Sequence, residues 1–323
     1  MDFLLDDMHT DLAQTCATIT ERAGGPELAR SWAEGEREPA LAVYRQLAES
    51  GITGLVVSED HGGSGAGATE MVVAAEQLGR ACLPGPVAET VAVVPTALVA
   101  AGASAALTEL LAGTAPATCA LAPVTPRAAD TEDSAVYLIA DGAVWTGTPG
   151  ETARTVDPSR SVADVTAGTQ LGTGVDLESA LDLGALATAA QLLGLGSVML
   201  ELAADYAKNR TQFGRAIGSF QAVKHHLADV AIAVEMARPL VWGAALGLDG
   251  LVPDGTPVRL DVSAAKVAAG DAAYLAARRS LQVLGAIGYT AEHDLSLYLT
   301  KTRALLTAWG TPAWHRRRIL EAL

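Results

Sequence analysis

The sequence predicts a mainly α protein with one short β segment near its middle. Three observations carry this reading. From residue 6 to about 105, apolar residues recur at three- and four-residue spacing. Between about 114 and 167 this gives way to short β-like runs separated by turn residues. From Leu177 onward long helical patterns return. The expected division is a helical domain over 1–113, a shortened β domain over 114–172 and a helical bundle over 173–323.

In the first part, LAVYRQLAESGI and TEMVVAAEQLGRACL both have helical spacing. The glycine-rich stretch between them, SEDHGGSGAGAT, has the flexibility to cradle a phosphate. It lacks the lysine of a P-loop and no strand precedes it, so a plain helix connector is the preferred reading. The apolar stretch over 87–98 is interrupted by Glu89 and Pro95 and reads as a core helix. The middle part consists of TCALAPV, AVYLIADGAVWTG and ARTVDP, and the last is broken by LGLDGLVPDGTP and by the glycines near 285–288. There is no heptad array, internal repeat or low-complexity tract.

Half of the 323 residues are apolar, enough for a substantial core, and the formal net charge is −15. That charge argues against nucleic acid or an anionic membrane as a partner, although a local basic patch could still hold one small anion. Cys16, Cys82 and Cys119 have no CxxC spacing, so neither a disulfide framework nor a structural zinc site is expected, and a reducing cytoplasm fits. The start, MDFLLDDMHTDL, is acidic where a secretory signal is basic, and no apolar run reads as a bilayer span. His225 and His226 are adjacent, point to different helix faces and lack a third ligand, so no metal site is expected. Arg316, Arg317 and Arg318 lie late in a terminal helix, where positive charge favours the dipole.

Two stretches carry more information. In KNRTQFGRAIGSFQAVKHHLADV, Val223, Leu227, Val230 and Val234 continue a helix entered through a glycine-bearing loop. That loop offers Arg210, whose planar fork suits a phosphate, and Phe213, which can stack on a ring. In SLQVLGAIGYTAEHDLSLYLTKTRALLTAWGT, Gln282 precedes Gly285 and Gly288, glycines that permit close backbone approach, and a helix follows from about Asp294. Each stretch alone reads as an ordinary surface pair or an ordinary turn.

Together they resemble the flavin-dependent acyl-CoA dehydrogenases. RTQFGRAIGSFQAVKHHLADV is similar to the family signature R-x-x-FG-x-x-I-x-x-FQ-x-x-x-H-x-LAD, and QVLGAIGYTAEHDLSLYLTKTR to its Q-x-x-GG-x-GY-x-x-E segment. LAESGITGLVVSEDHGGSGAG followed by EQLGR is similar to the opening helices. The resemblance covers nearly the whole chain. It implies an acyl-CoA dehydrogenase-like fold with an N-terminal helical domain, a truncated middle β domain and a C-terminal four-helix bundle that builds the oligomer. It also implies FAD between subunits. Arg210, Phe213, Gln221, Gln282, Gly285 and Ala286 are the positions that match the family's contacts to a neighbour's FAD, with Ala286 adding a methyl where the family has glycine.

The same resemblance implies that a glutamate should remove the α-proton of an acyl-CoA thioester. At the matching position of the YEGT-like segment this chain reads AWGT, with Trp309, and an indole has no basic lone pair at neutral pH. The alternative glutamate position, before the signature arginine, falls on Gly184 beside Ala185. Asp182, Glu235 and Asp294 are candidates for a relocated base, with solvation or capping the preferred reading of each. The family's AGSD loop around the flavin ring is absent, and Trp145 reads as a core residue. The expectation is therefore a non-catalytic, FAD-supporting subunit. It would pair with a complete subunit in an α2β2 heterotetramer, resembling short chains of actinobacterial enzymes acting on steroid side-chain thioesters, with an electron-transfer flavoprotein as acceptor. The alternatives are a self-sufficient homo-oligomeric enzyme with a relocated base and a flavin-free scaffold protein.

Overall fold

The computed structural model describes residues 6–322. The acidic start read against a secretory signal lies partly outside them, at residues 1–5. The first helical region comprises α1 (Asp7–Arg22), α2 (Glu27–Glu34), α3 (Glu38–Glu49), α4 (Ala68–Arg80), a π-helical turn (Glu89–Val93) running into α5 (Val94–Ala100), and α6 (Ser104–Leu111). Their ends are set by local chemistry. Asp6 caps α1 by accepting from the His9 amide, and Gly35 ends α2 in a left-handed conformation. The first amides of α4 donate to the Asp249 carboxylate from the far side of the molecule, Ala68 at 2.6 Å and Thr69 at 3.0 Å. A side chain at Gly67 would collide with that carboxylate. The glycine-rich loop at 58–67 is thus a connector folded onto the protein.

Five strands follow: β1 (Ala117–Leu121), β2 (Arg127–Ala129), β3 (Ala135–Ala140), β4 (Ala143–Arg154) and β5 (Ser161–Thr173). They form one sheet in the order β1-β3-β4-β5-β2, with β1 parallel to β3 and the other pairings antiparallel. Trp145 is partly exposed on β4, opposite Leu138 and Gln170, and not fully buried in a core.

The last region holds α7 (Leu177–Asn209), a hairpin of β6 (Thr211–Gln212) and β7 (Arg215–Ala216), α8 (Gln221–Leu248), α9 (Val258–Leu284), α10 (Leu295–Leu305) and α11 (Pro312–Leu320). Helices α7, α8 and α9 pack on one another, with α10 against α7 and α9, and α11 against α9. Helix α4 crosses α7 closely because Gly79 and Gly194 face the opposing backbone. An added Cβ would stand 2.3 Å from the Gln191 carbonyl oxygen in the first case and 2.1 Å from that of Glu76 in the second.

Two sequence expectations need correction. Helices α7 and α8 are both long and apolar enough, by length and composition, to cross a membrane. α7 is instead a core helix, mostly buried inside the protein, whereas α8 leaves Ile232, Met236 and Leu240 exposed along one side. Arg318 does more than complement a helix dipole: its guanidinium donates to Asp182 on α7 at 2.5 Å and to Glu178 at 2.8 Å, joining the last helix to the bundle. Arg316 likewise reaches Asp271 on α9 at 2.7 Å.

Candidate active-site cavity and cofactor-facing surface

Trp309 lies just beyond α10 with φ +55°, followed by Gly310 at +101°, so the chain makes a left-handed turn before α11. Such a conformation strains a bulky residue and persists only where its surroundings hold it. Here three contacts do so. Lys266, buried on α9, donates to the carbonyls of Leu305 and Leu306 at 3.2 Å each and anchors the end of α10. His315 Nε2 donates to the Trp309 carbonyl at 2.9 Å, and because a carbonyl only accepts, this fixes the tautomer in which Nδ1 accepts from the Ser263 hydroxyl at 3.2 Å. Thr311 caps α11 by accepting from the Trp314 amide at 3.1 Å. Burial pushes the His315 imidazole down to about 4 and the Lys266 ammonium down to about 7.

The indole itself is 1% exposed and packs flat against Gly184, where an added Cβ would stand 2.2 Å from indole Cδ2. The two positions at which the sequence resemblance implies the family's alternative glutamates are therefore in contact. A tryptophan fills one and the absence of a side chain at the other makes room for it. The indole N–H donates at 3.0 Å to Oε1 of Glu89, a buried carboxylate on the π-helical turn.

Above this pair opens a cavity of about 680 Å³ between the β domain and α10. Glu89, Arg160, Arg303 and Trp309 line it, together with Val124 and Val162. Oε2 of Glu89 has no hydrogen-bond donor among the described residues, and the Arg160 guanidinium approaches no nearer than 4.0 Å to Oε1. The carboxylates singled out from the sequence are elsewhere. Asp182 is locked to Arg318, Glu235 sits exposed beside Arg238 at 3.6 Å, and Asp294 pairs with Arg30 at 2.8 Å. None of the three lines the cavity. Glu89 is the carboxylate that sequence reasoning passed over as a site residue. Its signal was its isolation in an otherwise apolar run.

The cofactor-facing candidates are on the outside of the bundle. Arg210 ends α7, and its backbone carbonyl accepts from the Ile217 amide at 2.8 Å, closing the β6–β7 hairpin. Phe213 sits at the hairpin tip, 91% exposed with φ +52°, and meets Phe220 edge-to-face with centroids 6.1 Å apart. Gln221 opens α8, and Gln282 lies in the last turn of α9 before Gly285 and Ala286, all exposed. These residues fit a flavin nucleotide approaching from outside this chain. The Arg210 guanidinium has no ion-pair or hydrogen-bond partner among the described residues, and a Cβ at Gly285 would meet nothing within 4 Å.

Residues 6–116 match the N-terminal domain of acyl-CoA dehydrogenases and residues 172–323 the C-terminal domain. Acyl-CoA dehydrogenase IpdE2 of Mycolicibacterium smegmatis (strain ATCC 700084 / mc(2)155) is 32% identical over 95% of this chain and 96% of its own length. The chain belongs to the acyl-CoA dehydrogenase family. Among solved structures, a variant of the Tcur3481-Tcur3483 steroid ACAD superposes with a TM-score of 0.86 at 23% identity, covering 98% of this chain and 97% of that one. The ChsE4-ChsE5 complex of Mycobacterium tuberculosis gives 0.84 at 24% identity, covering 99% and 98%. The fold is thus that of an acyl-CoA dehydrogenase, an oxidoreductase. At the two positions where the sequence resemblance implies a proton-accepting carboxylate, this chain has the indole of Trp309 and the bare Cα of Gly184.

Proposed function

We propose that this chain is the non-catalytic, FAD-supporting subunit of a heteromeric acyl-CoA dehydrogenase. In this reading it pairs with a complete subunit in an α2β2 assembly that introduces an α,β double bond into a steroid side-chain acyl-CoA thioester. One observation carries the subunit role: Trp309, at the position where the sequence resemblance implies the glutamate, is buried against Gly184 and tied to Glu89, so on this reading neither usual position supplies a proton acceptor. The steroid class rests on the Tcur3481-Tcur3483 relative, described as a steroid ACAD, and the paired state on that relative and the ChsE4-ChsE5 complex.

FAD, when bound, accepts the hydride equivalent removed from the acyl chain. The Arg210 guanidinium would offset diphosphate charge, Phe213 would cover the adenine, and Gln221 and Gln282 would donate to the same nucleotide. The partner subunit would supply the base and most of the acyl pocket, and an electron-transfer flavoprotein would reoxidise the flavin. The exposed Ile232, Met236 and Leu240 of α8 suit burial in such an assembly.

The test is co-expression with the partner, followed by subunit stoichiometry and flavin content. One FAD per pair and a colourless lone chain are expected, and Arg210→Ala should lower the flavin content of the complex. Two FAD per pair would sink the degenerate half-site, and an Arg210→Ala complex with full flavin would favour the scaffold alternative.

A second reading, a self-sufficient homo-oligomer, draws on one observation, the unpartnered Oε2 of Glu89 at the cavity. It requires the lone chain to turn over a thioester and Glu89→Gln to cost on the order of 10² to 10⁴ in rate.

A further inference from the structure

The cavity over Trp309 is charged in a way that the subunit role leaves unused. Arg127 at its rim is neutralised by Asp164, 3.0 Å away. Arg303 on α10 has no carboxylate partner among the described residues. The Arg160 side chain is 12% exposed and donates no hydrogen bond; its nearest carboxylate oxygen, at 4.0 Å, is already engaged by the indole. Setting Arg127 against Asp164, the lining retains two guanidinium groups, Arg160 and Arg303, against one carboxylate, Glu89. The vacant Arg160 donors open onto the cavity, where an entering acceptor can reach them. The planar guanidinium fork matches a carboxylate in two-point contact.

The remaining lining narrows the ligand further. Val124, Val162 and Trp309 present apolar surface, which favours an organic body over a bare inorganic ion. Oε2 of Glu89 is a free acceptor at the inner end of the space and calls for a donor.

We propose that this cavity is a binding site for a small hydroxy-substituted organic carboxylate. The carboxylate is taken by Arg160 with Arg303, the apolar body lies against the two valines and the indole, and the hydroxyl donates to Glu89. The site is separate from the outward-facing residues that serve the nucleotide, so its occupancy does not depend on the flavin count of any complex.

Calorimetric titration of the full-length protein at low salt and pH 7 tests this with 3-hydroxybenzoate, benzoate and 3-hydroxybenzamide as probes. One-to-one binding of 3-hydroxybenzoate is expected, with the uncharged amide at least tenfold weaker and benzoate weaker than the hydroxy acid. Arg160→Gln should weaken the acid at least tenfold. Arg303→Gln, at an exposed position where folding is undisturbed, should weaken it severalfold. Glu89→Gln should shrink the preference for the hydroxy acid over benzoate to less than twofold. The proposal is overturned if the acid gives no heat at millimolar concentration or if the amide binds as well as the acid. It is equally overturned if both arginine variants, folded by circular dichroism, bind as the wild type does, or if FAD displaces the acid, which would make the cavity a cofactor pocket.

Discussion

The indole of Trp309 occupies the space that a side chain on Gly184 would need. An added Cβ would stand 2.2 Å from Cδ2 and 2.3 Å from Cε3 of the ring. Gly184 lies inside α7, where alanine is otherwise the better helix former, so the glycine is kept for this contact and against propensity. Gly184→Ala should therefore destabilise by roughly 1–3 kcal/mol through overpacking, read as a lower urea midpoint with an altered tryptophan emission. Trp309→Leu removes the obstacle, and in that background Gly184→Ala should be close to neutral. Equal costs in the two backgrounds would show that the two residues are not coupled.

Trp309→Glu tests whether the usual base can simply be put back. The new carboxylate would be buried beside Glu89 in place of the indole N–H, and two carboxylates this close resist joint ionisation. Destabilisation of roughly 3 kcal/mol or more is expected at pH 7. The new group's pKa would be raised above its unfolded value, so the loss should shrink as pH falls toward 5 and protonation relieves the repulsion. Glu89→Gln in the same chain should recover part of it at pH 7. Turnover by Trp309→Glu alone, with undiminished stability, would contradict this picture.

That Trp309 and Gly184 stand where the family has its glutamates was legible only as what the resemblance implies, each position being counted from a motif. Their contact was not, because it depends on how α7 packs beside the turn after α10. The left-handed turn at Trp309 was similarly hidden, as a tryptophan carries no signal for positive φ and the restraint comes from His315 and Lys266 in the fold. Glu89 was visible only as an interruption of an apolar run, and its role emerges when the π-helical turn aims it at an indole distant in the chain. The helical regions and the middle β segment were readable because periodicity is a local property. The parallel pairing of β1 with β3, which depends on the path of the intervening chain, was not.

His315 gives acid sensitivity a definite address. Burial lowers it from its ordinary value near 6.5 to about 4, so between those values the unfolded chain binds a proton that the folded protein refuses. Stability from this group is complete above about 6.5 and is lost as pH falls toward 4, by on the order of 3 kcal/mol. Asp130 works in the opposite sense, because burial raises it to about 6 and it favours the folded state as pH falls below that value. The informative quantity is therefore the difference between wild type and His315→Gln. Wild type should lose more stability than the variant from pH 6.5 to 4.5, by urea unfolding at each pH, and parallel curves would refute the assignment.

Lys301 on α10 and Asp157 on the turn before β5 hold the β domain against the bundle through a buried ion pair at 3.3 Å. Burial is the largest single influence on the Lys301 ammonium and works against it, but Asp157, Cys82 and Asp130 together outweigh burial and raise its pKa above the ordinary value. Asp157 is further fixed because Oδ1 accepts from the amide and hydroxyl of Ser159 at 2.9 and 2.8 Å. Removing one partner of such a pair strands a buried charge, so Lys301→Met should cost about 3–5 kcal/mol. Adding Asp157→Asn removes the stranded charge while keeping the acceptor for Ser159, and the double variant should be more stable than Lys301→Met alone. Because the pair joins two structural units, protease cleavage within 143–173 should also accelerate in Lys301→Met and slow again in the double variant. Cleavage at the wild-type rate in both would mean that the β domain is docked by other contacts, and the arginine-lined cavity beside it would then not depend on this pair for its shape.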